Sequence, residues 1–477
     1  MTDSLTGPAA APPAPTSTPV PAADFTQRLR TAVGAPDAPL VLLGNFEVEE
    51  QWAAGEHTLP RFSADSGAAV VNRMDEFALL LGRPGDHVVL KTAPDPAYLD
   101  YLTGLGVGLP DVHVVAGQRF DRTVTADALD DPALLERLSA LGACGARLLP
   151  HGTSRPEELL AERTGLPLAT PGAARCKAVN SKVYSRRIAD ELGLRQPAGW
   201  TCETVDELAA ALEKAKGLLA EGRRAVVKEA YGVSGKGLVV LDGERRADRV
   251  LKMLSAKVER SGRPDLAFVV EEWVDNRGDL NYQFTVARDG SVHFDFVKRA
   301  LTEGGVHKGH RFPADLTPGQ LADVTDAAAR LGGRLAADGY HGVVGVDAIL
   351  TADGGVHPVL EINARNNMST YQTRLQEAFV GPGRAALARH YPVRLDGRLG
   401  FDRLRELLGG LLLTDPAGSG LLVNNFATVN AGLDVRPGEP FDGRLYGIVV
   451  AGSAAELDDL DERLTARLQA LGAAHVH

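Results

Sequence analysis

Cysteine is scarce in this chain: Cys144, Cys176 and Cys202 are the three among 477 residues, and no two form a Cys-x-x-Cys pair. A disulfide framework and a thiolate zinc site are therefore not indicated, and a reducing compartment fits. An excess of positive charge is also missing. At a formal charge of −11 the chain lacks the accumulated Lys and Arg that give phosphate-backbone affinity, so no nucleic-acid partner is expected and any phosphate site must be local. No apolar run approaches membrane-spanning length, and "MTDSLTGPAAAPPAPTSTPVPAADF" has neither a basic n-region nor an apolar h-region. The expectation is a soluble, cytoplasmic protein with no membrane partner. No repeat of fixed period is seen.

What is present suffices for several cores. Hydrophobic residues make up 44% of the chain, and a chain this long suggests about three domains. Residues 1–24 are a Pro/Ala-rich tract expected to be a disordered tail. Over 25–172, short apolar runs ("LVLLGN", "DHVVLKT", "DVHVVAG") alternate with helical stretches such as "SGAAVVNRMDEFALLLG", a βαβ pattern around a parallel sheet. Over 173–375 come a helix from Ser181 stopped by "LGLRQP", strands flanking a glycine loop, the strand "LAFVVEEWV", and a hairpin turning at "DGG". Over 376–477, a helix in "GRLGFDRLRELLGGLLL" and a strand followed by an amphipathic helix suggest a small C-terminal α/β domain. The fold class is α/β, with an α+β core.

The stretch "AVVKEAYGVSGKGLVVLDG" places a mobile glycine turn between two buried strands, with Lys228 at its entrance. A Walker A loop requires Ser or Thr after its lysine, and Lys236 is followed by Gly237. A Rossmann fingerprint opens into a helix, whereas "LVVLDG" reads as a strand. What remains is a flap between strands, able to close over a polyphosphate because glycine lets the backbone approach. An ordinary hairpin is the plain alternative, so other residues must decide.

In "HPVLEINARNN", Glu361 and Asn363 share one strand face, and Asp347 interrupts the apolar strand "GVVGVDAIL". Pairing across the "DGG" turn sets Asp347 opposite Glu361 or one diagonal step away, where like charges repel unless a cation lies between them. Magnesium, with its oxygen ligands, answers that problem.

Lys182, Lys228 with its glycine loop, the "VVEEWV" strand and the "D...EIN" hairpin occur in an order that resembles the ATP-grasp superfamily over 180–367. The resemblance implies an ATP-grasp core preceded by a pre-ATP-grasp domain, with ATP and Mg2+ as cofactors. Lys182 and Lys228 are then the phosphate-binding lysines and Gly232, Ser234, Gly235 and Gly237 belong to the flap. Glu272 and Val274 form the adenine hinge with Glu271 beside it, and Asp279 meets the ribose. Asp347, Glu361 and Asn363 are the implied magnesium ligands, and Arg365 faces the reacting phosphoryl group or carboxylate. Gly345 stands where D-alanine ligases carry an arginine, and no biotin-attachment segment is seen. The long region before the core and the C-terminal domain resemble the pheganomycin-type peptide ligases of actinobacterial natural-product pathways.

The implied activity is an ATP-dependent carboxylate–amine ligase that forms a peptide bond through an acyl phosphate. Its partners would be an amino-acid carboxylate and an amino-acid or peptide amine, with a homodimer common in the superfamily. The stretch "EGGVHKGHRFPADL" reads as a loop that brings His307, Lys308, His310 and Arg311 to the substrate, Arg311 being the candidate catalytic residue. A solvated basic loop is the alternative. A phosphotransferase with a hydroxyl acceptor would use the same ATP apparatus and stays open as a second activity, whereas the complete Asp347, Glu361, Asn363 set counts against a non-catalytic ATP binder. Cys176, without an evident base, reads as buried and inert.

Overall fold

The computed structural model describes residues 24–60, 67–232, 237–303, 306–433, 435 and 438–473. The Pro/Ala-rich tail before Asp24 and the middle of the glycine loop, Ser234 and Gly235 included, lie outside the described residues.

In the first layer, β1 (Leu40–Leu43), β2 (His87–Leu90), β3 (Asp111–Val114) and β4 (Arg147–Pro150) form a parallel sheet in the order β3-β2-β1-β4. The Leu/Val run of β1 is buried throughout, as a strand covered on both faces requires. Asp95 and Asp131 cap the following Pro96–Gly104 and Pro132–Ala143 helices, whose leading prolines occupy a position where no N–H is needed. The stretch expected as one helix divides into Ala68–Asn72 and a 3-10 helix Met74–Leu81. Every residue of the latter is buried, so its path follows packing on all sides and not one amphipathic face. Because β2 and β4 flank β1 on opposite sides, the loops after β1 and β4 leave the sheet as neighbours, the topological switch point of such layers. Asn45 clasps them, donating to the Gly152 carbonyl at 2.8 Å and accepting from the His151 N–H at 3.0 Å.

A second, antiparallel sheet comprises β5 (Gly199–Cys202), β6 (Arg224–Glu229), β7 (Leu238–Leu241) and β8 (Phe268–Trp273) in the order β5-β8-β6-β7. The Val205–Ala220 and Glu244–Ser261 helices close its core, where Leu208, Leu212 and Leu254 meet Val227 and Phe268.

The third sheet contains β9 (Asn276–Val286), β10 (Val292–Glu303), β11 (Val306–Phe312), β12 (Gly342–Thr351), β13 (Val356–Asn363), β14 (Ala385–Leu395), β15 (Gly420–Asn425) and β16 (Phe441–Ala451). All pairs are antiparallel, in the order β13-β12-β9-β10-β11-β14-β16-β15. Strands from the last hundred residues thus continue the same sheet. One apolar cluster runs from Phe25 and Phe77 of the first layer through Tyr371 to Ile448 and Leu464.

Candidate functional site

Strand alternation sorts the third sheet into two faces. Tyr282, Phe284, Val346 and Ile362 enter the core that includes Val324 and Leu331 of the Pro318–Ala337 helix. Asn281, Asp347 and Glu361 take the other face, where they line a cleft of about 820 Å³ together with residues of β6 and β8 from the second sheet and Glu49 from the first layer.

Asp347 lies directly opposite Glu361 on β13 and Asn281 on β9. Asn281 donates to one Asp347 oxygen at 2.9 Å, and Asn363 approaches the other at 3.4 Å. Burial and the facing Glu361 push the Asp347 carboxyl up to about 6, against the pull of Asn281, Arg365 and Lys182. Among the described residues no three His, Cys, Asp or Glu side chains gather as a metal cluster; Asn363 lies beside the acidic pair, its amide nitrogen toward Asp347 and its Oδ1 toward Arg365.

Ser181 caps the Lys182–Glu191 helix, so Lys182 sits in its first turn. Its ammonium reaches Glu361 Oε1 at 2.7 Å and the Gly232 carbonyl at 2.6 Å, tying the glycine loop to the acidic hairpin. Lys228, on β6, pairs with Glu271 at 2.5 Å, and Arg186 stands 3.6 Å from the same carboxylate. Burial disfavours the Lys228 charge, but Glu271, Glu361 and Asp347 outweigh it and hold the ammonium above its ordinary range. At the far end of the loop Gly237 has φ +77°, and a Cβ there would meet Glu229 Oε2 at 2.5 Å. Only glycine fits that turn.

Glu272, Trp273, Val274 and Asp275 form one rim of the cleft. The Glu272 N–H donates to the Ala198 carbonyl at 2.7 Å, while its carboxylate accepts from Arg223. Asp279 accepts from Asn276 at 2.9 Å and from the Thr302 hydroxyl. Arg365, at the other end, donates through Nε to Glu49 at 2.9 Å and through Nη2 to the Asn363 side-chain Oδ1 at 3.0 Å. Burial opposes its charge; Glu49, Glu361 and Asp347 raise it.

Lys182, Lys228, Gly232, Gly237, Glu271, Glu272, Val274, Asp279, Asp347, Glu361, Asn363 and Arg365 therefore line one cleft. Arg311 does not. The stretch read as a loop is β11, paired on both edges with β10 and β14, and alternation sends His310 into the cleft while Arg311 pairs with Asp458 of the Ala454–Ala473 helix. Gly309 allows this: a Cβ there would lie 2.3 Å from the Ala388 carbonyl oxygen. Cys176 is buried, and burial pushes its thiol up to about 11.

Sequence reasoning missed Asn281, Glu49 and Asn367. Asn281 had a signal, a polar residue at an alternate position in the apolar strand "LNYQFTV". Asn367 caps the Met368–Phe379 helix through its oxygen, and its buried Nδ2 has no hydrogen-bond partner among the described residues. Glu49 carries no local signal and reaches the cleft only through the fold.

Residues 74–166 match the model of the Pre ATP-grasp domain. The [Butirosin acyl-carrier protein]--L-glutamate ligase of Niallia circulans is 29% identical over 328 residues, covering 68% of this chain and 71% of that one. The carbamoyl phosphate synthase large chain of Xylella fastidiosa is 27% identical over 164 residues, 34% of this chain and 14% of that protein's length. Among solved structures, an ADP complex of N5-carboxyaminoimidazole ribonucleotide synthetase superposes with a TM-score of 0.50 at 14% identity, over 90% of this chain and 97% of that one. A nucleotide complex of biotin carboxylase from Campylobacter jejuni gives a TM-score of 0.51 at 13% identity, over 87% and 86%.

Residues 74–166 thus match a pre-ATP-grasp domain, and the chain as a whole has the fold of these nucleotide-bound structures. Among curated proteins its likeness is to a ligase, the butirosin enzyme. Among the described residues no helix is long and apolar enough to cross a membrane.

Proposed function

We propose that this enzyme is an ATP-dependent carboxylate–amine ligase of peptide natural-product biosynthesis, forming an amide bond through an acyl phosphate and releasing ADP and phosphate. The observation that carries this reading is the convergence of Lys182, Lys228, the Asp347/Glu361/Asn363 hairpin and Arg365 on one cleft.

In this reading Glu271, Glu272 and Val274 hold the adenine edge and Asp279 the ribose, so the polyphosphate runs toward Lys182, Lys228 and the glycine flap. Asp347, Glu361 and Asn363 offer an all-oxygen donor set with two facing carboxylates, which suits a hard dication and not a soft metal. Bound there, Mg2+ would neutralise phosphate oxygens. Lys182 and Lys228 offset charge on the β- and γ-phosphates as the donor carboxylate attacks phosphorus, and Arg365 holds that carboxylate in line. An amine then displaces phosphate from the acyl carbon. Positioning and charge account for the rate in such transfers, which agrees with the absence of a protein nucleophile from the proposed roles.

The butirosin relative names L-glutamate as its amino acid, so L-glutamate heads the donors to be assayed. Incubation with MgATP, single L-amino acids as donors and hydroxylamine as acceptor tests the reading. ADP, phosphate and an amino-acid hydroxamate are expected in equal amounts; a stable phosphorylated acceptor without free phosphate would mean phosphotransfer instead.

A further inference from the structure

The cleft has a carboxylate that the nucleotide does not need. Among the described residues seven acidic ones line it. Glu271 faces Lys228, Glu272 faces Arg223, Asp275 faces Arg224, Asp279 belongs to the ribose end, and Asp347 and Glu361 form the facing pair. Glu49 remains, the one that comes from the first layer. It is carried by the Val48–Ala53 helix, just beyond the loop that leaves the C-terminal edge of β1 beside β4. In parallel sheets that edge is where substrates bind.

Glu49 is largely buried, with 18% of its side chain exposed, and the Arg365 guanidinium holds it. Asn367, in the lining of the same cleft, has a buried amide N–H2 group that no described residue satisfies. Arg365, held by Glu49, Asn363 and Asn366, and the unsatisfied Asn367 both belong to this cleft, so an anion entering it would compete with Glu49 for the guanidinium. When the donor carboxylate takes Arg365, Glu49 loses its countercharge while remaining largely out of water, and an unpaired buried charge is strongly unfavourable. A second cation must replace the guanidinium.

We propose that Glu49 is the acceptor residue of the ligase: it binds the ammonium group of the incoming amine and takes one proton from it. The inference rests on the ligase reading above and names the group that completes it. The freed amine nitrogen donates its lone pair to the acyl carbon. As the tetrahedral adduct collapses, the bond from that carbon to the bridging oxygen breaks, inorganic phosphate leaves with the electron pair, and the nitrogen's second proton passes to it. The Glu49 carboxyl returns its proton to solvent when the amide departs and Arg365 pairs with it again. The acceptor class that fits is a primary ammonium, such as the α-amino group of an amino acid or a peptide N-terminus.

The test compares two acceptors in wild type and Glu49→Gln, with MgATP and a mixture of the twenty L-amino acids as donors. Hydroxylamine arrives as a neutral nucleophile and needs no base; the amino groups of the same mixture arrive as ammonium. The expected result is that Glu49→Gln lowers the ratio of amide to hydroxamate by roughly 100-fold, the scale of a lost general base, with Glu49→Asp restoring much of it. Equal loss of both products in Glu49→Gln would overturn the proposal, since Glu49 would then serve only to hold Arg365. A wild-type enzyme that makes hydroxamate but no amide from any ammonium acceptor would overturn it as well, leaving carboxylate activation intact. Wild-type failure with both acceptors would bring down the ligase reading and this inference with it. Unchanged melting temperature and ATP affinity in Glu49→Gln separate these outcomes from misfolding.

Discussion

Asp347 and Glu361 face each other directly across β12 and β13, and Lys182 bridges from the Glu361 carboxylate to the glycine loop. Two carboxylates so placed create a demand for positive charge that Lys182, Lys228 and Arg365, each shared with another partner, meet only in part. With a dication bound, that repulsion becomes binding energy. Millimolar Mg2+ should therefore raise the melting temperature of the wild-type enzyme and leave Glu361→Gln unmoved, while Glu361→Gln loses at least 100-fold in turnover. Scanning calorimetry with and without Mg2+ checks this, and an equal shift in both proteins would remove the proposed metal site.

Lys228 is paired with Glu271 and faces the cleft from β6. Lys228→Met should lower kcat by about 10²–10³ through lost charge stabilisation of the transferring phosphoryl group, with a smaller change in ATP affinity. Glu271 keeps Arg186 at 3.6 Å, so the fold should survive. Circular dichroism together with steady-state kinetics decides; near-normal kcat would withdraw the assigned role.

The glycine loop is anchored where the Glu229 N–H donates to the Gly237 carbonyl at 2.8 Å and where a Cβ would strike Glu229. Gly237→Ala should lose about 1 kcal/mol or more of stability, because φ is positive and space is lacking. It should also raise the KM for ATP more than it lowers kcat. Unchanged ATP kinetics would show that the loop is an ordinary hairpin.

Glu76 is 3% exposed, and its carboxylate accepts the N–H groups of Phe426 at 2.6 Å and Ala427 at 2.8 Å, joining the first layer to the C-terminal strands. Burial pushes it up to about 7 from an ordinary 4.5. A carboxyl raised on folding binds more protons in the native state, so its contribution to stability is greatest below 4.5 and is lost as pH rises through about 7. Glu76→Gln keeps an acceptor oxygen for both N–H groups. It should be more stable than wild type at pH 8, by on the order of 3 kcal/mol at most, with the gap closing toward pH 5. Denaturation curves across that range test the sign; a variant less stable at pH 8 would contradict it.

The parts of the site that a single segment determines were legible from residue spacing. Alternation placed Glu361 and Asn363 on one strand face, pairing across the turn placed Asp347 opposite Glu361 or one diagonal step away, and the structure sets Asp347 and Glu361 in register. The apolar runs around the glycine loop are β6 and β7, paired from Ala225 with Leu241 to Lys228 with Leu238. Arg311 went astray because three glycines and several charges made the stretch around β11 look like a loop, and a strand's direction of pointing is fixed only once its partners are known. The junction of β14, β16 and β15 with the core sheet is likewise a long-range pairing that leaves no mark on local pattern. Glu49 was invisible for the same reason, since 316 positions separate it from Arg365.

The central claim is that a carboxylate oxygen attacks the γ-phosphorus of ATP. A donor amino acid labelled with oxygen-18 in its carboxylate tests it most directly: the account predicts ADP as the nucleotide product and one labelled oxygen in each inorganic phosphate released. Label in AMP, with pyrophosphate as the other product, would contradict it.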